Sequence, residues 1–291
     1  MQWTIEKKHE GFIIRDYLQS IHSFSRSLLT AIKFDGGAIY VNGKEKRVRY
    51  PLVAGDVLTI EFPPEKKGNY MYAEDLPLEL VYEDDDLIII NKEAGMAVTP
   101  SQLHQTGTVA NALLAYYATN HIPYTVHVVT RLDRDTTGLM LIAKHRYSHS
   151  LLATSQMDQQ VERHYQAIVA GKLITKKGLI DTPIGRKENS IIERTVTTAG
   201  QAALTYYEVI EEKHGNSLVE IELGTGRTHQ IRVHFSHLGH PLVGDELYGG
   251  SGENMNRQAL HCSGIRFEHP LTKEMMSLHA PLPKDMKDLL E

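Results

Sequence analysis

The segment Thr130-Arg-Leu-Asp-Arg-Asp-Thr-Thr-Gly138 places Asp133 between Arg131 and Arg134 in a polar, turn-like stretch. A neighbouring cation keeps an aspartate ionised at neutral pH. A carboxylate held anionic beside a base-contacting arginine can serve as a nucleophile. The alternative is a surface loop in which Asp133 and Asp135 form ion pairs or cap a turn, since structural pairs also perturb carboxylates. Leu139-Met-Leu-Ile-Ala143 follows directly, so the loop feeds a buried strand.

Three other segments carry groups that could act with it. Tyr165 opens an apolar strand from its polar end, where a ring can stack on a base and a hydroxyl can exchange a proton. A half-buried strand tyrosine is the structural alternative. In Gly224-Thr-Gly-Arg-Thr-His-Gln-Ile-Arg-Val-His234, two glycines permit a tight turn and Thr228 is positioned to cap a helix with Ile231, Phe235 and Leu238 inward. Arg227 then sits at a strand-to-helix junction, and its fork suits either Asp133 or a phosphate. As an isolated feature it is equally an exposed loop arginine. Lys92 could meet a phosphate, beside a Gly95 that lets the backbone turn.

His229, His234, His237 and His240 raise the idea of a metal, but their spacing is poor and no H-E-x-x-H signature accompanies them. No metal is expected. Neither G-x-x-x-x-G-K-[S/T] nor G-x-G-x-x-G occurs, so no nucleotide cofactor is expected either.

These segments need a scaffold, and 291 residues suffice for about two domains. Ser25 can cap a helix through Leu28, Leu29 and Ile32; Ala38–Val41 reads as a strand, Asn42-Gly43 as a hairpin turn, and Val57–Phe62 as a half-buried strand. Pro63–Asn69 is the best linker. The expected organisation is a first domain over 1–65, a linker over 66–76 and a second domain over 77–291. In the latter, Leu87–Ile90, Leu139–Ala143, Tyr165–Val169, Leu204–Val209 and Leu218–Leu223 read as strands, with Thr108 capping a helix. The strands lack the regular intervening helices of a Rossmann sheet, which predicts a mixed α+β sheet.

Composition bounds the class. The chain is 41% apolar and 23% charged, as in ordinary globular proteins. It has no run long enough for a transmembrane helix and no signal-peptide pattern at its start, so the expectation is cytoplasmic with no membrane partner. The single Cys262 excludes an intramolecular disulfide framework. A net charge of -5 argues against coating nucleic acid by bulk charge. The distribution is uneven: residues 1–75 carry 11 Lys/Arg against 10 Asp/Glu, and residues 76–291 carry 20 against 26. A nucleic-acid partner is allowed rather than demanded.

Taken together and in order, these segments resemble the RluA/RluD-type pseudouridine synthases, which isomerise uridine in structured RNA. Thr130–Gly138 is similar to the family motif H-R-L-D-x-x-T-S-G, the Lys92–Gly95 region to K-P-x-G, and Gly226–His234 to the late arginine motif. Gly239–Gly249 and Arg257–His261 are also similar to family segments. Residues 12–62 resemble a divergent S4 RNA-binding domain, through Ser25-Arg26-Ser27, Gly37–Gly43 and Gly55-Asp56.

The resemblance implies a mixed, mainly antiparallel catalytic domain preceded by a small S4-like α/β domain. It implies Asp133 as catalytic nucleophile, Tyr165 as the residue that stacks on the flipped base, Arg227 as the partner of Asp133, and Arg131 as the wedge that replaces the departed base. Arg26, Lys33, Lys44, Lys46, Arg47 and Lys92 become candidate RNA contacts. No cofactor is implied, because the product is an isomer of the substrate. The implied partner is RNA, most readily large-subunit ribosomal RNA of the 23S type, with transfer RNA as an alternative target, and the implied state is a monomer. The competing class is a non-catalytic RNA-binding or ribosome-assembly factor on the same fold. Thr130, Thr137, Glu93 and Thr99 depart from the family pattern, and the first and third of these bear on loop packing.

Overall fold

Local chemistry sets the first unit. The computed structural model describes every residue except 66, 67, 69 and 103, so Lys66, Lys67 and Asn69 of the expected linker lie outside the described residues. Strand β1 (Gln2–Thr4) is followed by helices α1 (Ile14–Ser20) and α2 (Arg26–Phe34). Ser25 Oγ caps α2 by accepting from Leu28 N at 3.1 Å. Strands β2 (Ala38–Val41) and β3 (Lys44–Glu45) form a hairpin around Asn42 and Gly43, both at positive φ as a type I′ turn requires. With β4 (Val57–Glu61) they make a four-stranded antiparallel sheet in the order β1-β4-β2-β3. Leu28, Ile32, Ile39, Leu58 and Ile60 fill its core, and Tyr147 from the second unit packs into the same cluster. The Tyr147 hydroxyl donates to His22 O at 2.8 Å, tying the two units together.

The second unit is built on one ten-stranded sheet. Its strands are β5 (Glu79–Glu83), β6 (Leu87–Lys92), β7 (His127–Val128), β8 (Thr137–Ala143), β9 (Glu162–Ala170) and β10 (Lys177–Asp181), then β13 (Leu204–Lys213), β14 (Asn216–Leu223), β15 (Leu260–Glu268) and β16 (Met275–His279). The short hairpin β11 (Ile184–Arg186) and β12 (Arg194–Val196) stands apart from that sheet. The main path runs β10-β13-β14-β9-β15-β8-β6-β5, with β16 on β15 and β7 on β8. Among the described residues every pairing between these strands is antiparallel except that of β8 with β15. The mixed, mainly antiparallel expectation holds.

Helix α3 (Val109–Thr119) starts at a capping box between Thr108 and Asn111 and covers one face of β6 and β8, where Ile88, Ile90, Met140 and Ile142 point. The other face buries Ile89, Leu139 and Leu141 against Leu152 of α4 (Arg146–Met157). Burial on both faces explains why these two strands read as unbroken apolar runs. Helices α5 (Gln230–His237) and α6 (Lys284–Asp288) complete the unit.

The parallel join of β8 and β15 depends on Gly138. Its φ is +112°, and a Cβ there would lie 2.3 Å from Cys262 O and 2.5 Å from Cys262 N. The final glycine of the Asp133 segment is thus required by backbone contact.

Candidate active site

The Asp133 loop is fixed at both ends and in the middle. At its start Thr130 is buried, and its Oγ1 accepts from Leu141 N at 2.9 Å. This threonine, where the family pattern has histidine, anchors the loop to β8. At the far end Gln258 Nε2 donates to Thr136 Oγ1 at 3.1 Å, and Thr137 Oγ1 lies 2.9 Å from His261 Nδ1. Between them two buried cations hold main-chain carbonyls. Arg257, forked onto Asp285 of α6 at 2.7 and 2.8 Å, reaches Asp135 O at 3.3 Å.

Lys92 supplies the second cation and corrects an expectation. It is only 2% exposed, and Nζ donates to Glu93 O, Met96 O and Arg134 O at 2.7, 3.1 and 2.7 Å. All three donors are used inside the protein, so the side chain does not reach a phosphate. Its position at the inward end of β6 makes it a tie between two loops. Burial pulls its pKa down to about 8. Glu93 contributes only its carbonyl to this tie; its own side chain is exposed.

The partner of Asp133 is Arg232, not Arg227. Arg232 Nη1 donates to Asp133 Oδ2 at 3.1 Å. Its remaining nitrogens fork onto buried Asp245 at 2.7 and 2.8 Å, and its guanidinium carbon sits 5.0 Å from the Tyr248 ring centroid. Burial opposes its charge, but the Asp245 hydrogen bonds and charges outweigh that and hold its pKa above the ordinary arginine value. Arg227 instead donates Nε to Ala202 O at 3.0 Å and is exposed. The physical reason is helical phase. Arg232 is the third residue of α5, on the side facing the Asp133 loop, while Arg227 precedes the helix and turns toward Ala202, ahead of β13.

Neither arginine beside Asp133 in sequence pairs with it. Arg134 folds onto Asp135 at 3.0 Å, and exposed Arg131 lines the cleft.

The start of α5 also differs from expectation. Thr228 does not cap it; the first position outside the helix is His229, in the left-handed region at φ 57°. Gln230 performs the local bonding, its Oε1 accepting from Arg227 N at 2.9 Å and Thr225 Oγ1 at 2.8 Å. Leu238 is exposed rather than inward. The unusual backbone of His229 aims Nδ1 at Tyr248 Oη, 2.7 Å away, and Nε2 at Asp133 Oδ2, 3.8 Å away. Tyr248 Oη accepts from Arg194 N at 2.9 Å, so its own proton is free to face Nδ1, leaving the Nε2–H tautomer toward the carboxylate. Burial lowers the His229 pKa, with Asp133 pulling the other way, and the ring is neutral at pH 7.

Asp133, Arg131, Tyr165, Arg227, His229 and Arg232 line one cleft of about 410 Å³. Tyr165 is not at a strand end. It is the fourth residue of β9, only 4% exposed, with its ring in the cleft wall and its phenol pushed up by burial. It therefore offers an apolar ring and a protonated hydroxyl. The cleft joins a fixed carboxylate, an apolar wall and an open cationic rim, which suits a planar polar ring attached to a polyanion.

The four histidines considered for a metal do not converge. His234 lies between Thr205 Oγ1 and Thr182 O, and His240 is 2.8 Å from Ala170 O. The group with metal-like spacing among the described residues is Asp84, Asp86 and His269, all engaged internally and none of them lining the cleft. No helix among the described residues is long and apolar enough to cross a membrane.

Arg232, Asp245, His229 as a cleft residue, and the loop anchors Arg257 and Gln258 were not evident as site residues from the sequence. Arg232 stood inside the late arginine motif, five residues after Arg227, but neither its type nor its place there signals the contact with Asp133.

Residues 86–237 match the family described as RNA pseudouridylate synthase. The chain is 47% identical over 278 residues to the Uncharacterized RNA pseudouridine synthase YjbO of Bacillus subtilis, covering 96% of this chain and 98% of that protein. It is 40% identical over 281 residues to the Ribosomal large subunit pseudouridine synthase D of Vibrio cholerae, covering 91% and 86%. Among solved structures, Human RNA Pseudouridylate Synthase Domain Containing 1 has the same fold, with a TM-score of 0.60 at 24% identity over 75% of this chain and 86% of that one.

Proposed function

Because the chain belongs to the RNA pseudouridylate synthase family, we propose that it converts specific uridines of large-subunit ribosomal RNA to pseudouridine, with Asp133 as the nucleophile. The ribosomal target rests on the relatives named for large-subunit pseudouridine synthase D. The observation that carries the catalytic reading is the Asp133 carboxylate, held in the cleft by an arginine that a buried aspartate locks in place.

The target nucleotide leaves its stack and enters the 410 Å³ cleft. Extrusion costs a few kcal/mol of unstacking, and Arg131 on the rim offsets part of it by stacking where the base had been. Tyr165 supports the flipped uracil with its ring. Asp133 attacks, the glycosidic bond to N1 breaks, the ring turns within the pocket and bonds the sugar through C5, the Asp133 carboxylate is released, and C5 loses a proton while N1 gains one. Arg232 keeps the carboxylate oriented throughout. The product is an isomer of the substrate, so the balanced reaction consumes no co-reactant.

The first unit resembles an S4 domain and presents Arg26, Lys33, Lys44 and Arg47 to solvent, with Lys46 half-buried; these would add phosphate contacts outside the cleft. We take the working unit to be a monomer in the cytoplasm.

The test is release of tritium from C5-labelled RNA, with protein-free large-subunit ribosomal RNA and bulk transfer RNA compared side by side. Release from the ribosomal RNA supports the proposal. Release confined to transfer RNA would redirect the substrate, and release from neither would contradict the reading.

A further inference from the structure

Beside the Asp133 cleft lies a second recess of about 270 Å³, whose walls include Arg186, Arg194, Arg227 and Thr228. Arg227 and Thr228 border both cavities. In the β11–β12 hairpin Arg186 stands directly opposite Arg194. Like charges facing each other across strands are destabilising unless something between them is negative. Among the described residues no carboxylate is in ion-pair contact with either arginine. Glu193, next in sequence to Arg194, pairs with Lys187 at 2.8 Å. Arg194 Nη1 donates only to the carbonyls of Ile192 and Glu193, and Arg227 Nε to that of Ala202. Among the described residues none of the three arginines is in an ion pair, whereas Arg232 and Arg257 are each forked onto an aspartate.

The recess is also built closely. A Cβ at Gly200 would fall 2.5 Å from the Ile184 carbonyl carbon, and one at Gly185 would fall 2.6 Å from Thr197 Cγ2. Its wall is joined to the cleft through Tyr248 Oη, which accepts from Arg194 N and touches His229. Three arginines without acidic partners thus sit at a fixed offset from Asp133, in a chain whose net charge is -5.

We propose that this recess seats a backbone phosphate of the RNA strand next to the target nucleotide, with Arg186, Arg194 and Arg227 as its cationic contacts and the Thr228 hydroxyl as a polar one. The planar guanidinium fork matches phosphate oxygens, and sharing a border with the cleft places the anion on the same strand. Arg227, which does not hold Asp133, thereby acquires a role. The inference rests on the reading that the cleft takes the flipped uridine.

The test pairs a binding measurement with a kinetic one. Binding of fluorescent, protein-free large-subunit ribosomal RNA is followed across a salt series for the wild type and for an Arg186→Gln, Arg194→Gln double variant. Loss of one phosphate contact lowers the slope of log K against log salt by about 0.7 in single-stranded RNA. The double variant should show that loss, with KM for tritium release raised roughly tenfold and kcat little changed. Arg266→Gln, an exposed charge paired with Glu162, serves as the bulk-charge control and should leave the slope alone. The Arg186→Lys, Arg194→Lys variant should restore it. An unchanged slope and affinity in the double-glutamine variant would overturn the proposal, as would a fall in kcat at constant KM. A recess meant for an acidic protein segment gives that unchanged slope. If the wild type releases no tritium, the reading of the cleft fails, while the salt slope still decides the recess.

Discussion

Arg232 donates one nitrogen to Asp133 at 3.1 Å while Asp245, almost wholly buried, holds its other two at 2.7 and 2.8 Å. The fork onto Asp245 leaves the guanidinium one orientation, and that orientation places the Asp133 carboxylate. Lysine cannot make the fork and the third contact together. Arg232→Lys is therefore expected to lower kcat about 10²- to 10³-fold, the range for losing one fixed electrostatic contact. Arg232→Gln also strands the Asp245 charge and should cost about 3–5 kcal/mol of stability. Single-turnover rates and denaturant melts read the two effects. By contrast, Arg227→Gln should act on KM, and a kcat defect as large as that of Arg232→Lys would contradict the assignment.

Gly138→Ala tests the junction behind the loop. The new methyl would overlap the backbone of Cys262 at a φ that side chains avoid. A loss of at least about 3 kcal/mol is expected, from overpacking and backbone strain together. Thermal unfolding of the variant checks it, and a melting point within a degree or two of wild type would show that β8 and β15 part without penalty.

Lys92 gives the activity an alkaline limit. With its pKa drawn down to about 8, the ammonium loses a proton above that pH and keeps two donors for three carbonyls. The Asp133 loop then loses a tie, and kcat should fall with an apparent pKa near 8. Global stability moves the other way. Unfolded lysine keeps its proton to about 10.4, so from about pH 8 to that value the unfolded chain binds more protons and rising pH favours folding. The pH–rate profile of Lys92→Arg, whose charge persists, should lack the alkaline limb. Retention of that limb would remove Lys92 as its source.

Acid should destabilise the fold before the carboxylates titrate. Burial lowers the pKa of His22, His149, His229, His234 and His261 from the ordinary value of 6.5. In the unfolded chain these rings take up protons near that value, and in the folded chain only at lower pH. Stability is thus fully present above 6.5 and declines as pH falls through the window below it. The urea midpoint should be lower at about pH 5.5 than at pH 7; equal midpoints would contradict the burial of these rings as neutral groups.

Elements governed by local chemistry were legible in the sequence. Ser25 and Thr108 cap as their types suggest, Asn42-Gly43 turns the first hairpin, and the apolar runs at Leu87 and Leu139 are doubly buried strands. The site was legible as a set of segments but not as a set of contacts. Arg232 and Asp133 are 99 positions apart, and nothing in the sequence distinguishes a helix arginine that reaches a distant loop from one that does not. Tyr165 read as the start of a strand because apolar residues begin there. Cross-strand pairing to β14 and β15 extends β9 back to Glu162 and buries the tyrosine mid-strand. Lys92 looked like a surface cation because its three acceptors are main-chain carbonyls, which carry no residue signature.

The most direct test of the account is tritium release by Asp133→Asn under single-turnover conditions, with RNA binding measured on the same preparation. The substitution keeps the side chain's shape and its place in the pinned loop while removing the charge proposed to act as nucleophile. Asp133→Asn is expected to give no release above background and RNA affinity close to wild type. Release at the wild-type rate would contradict Asp133 as the nucleophile and, with it, the role assigned to Arg232.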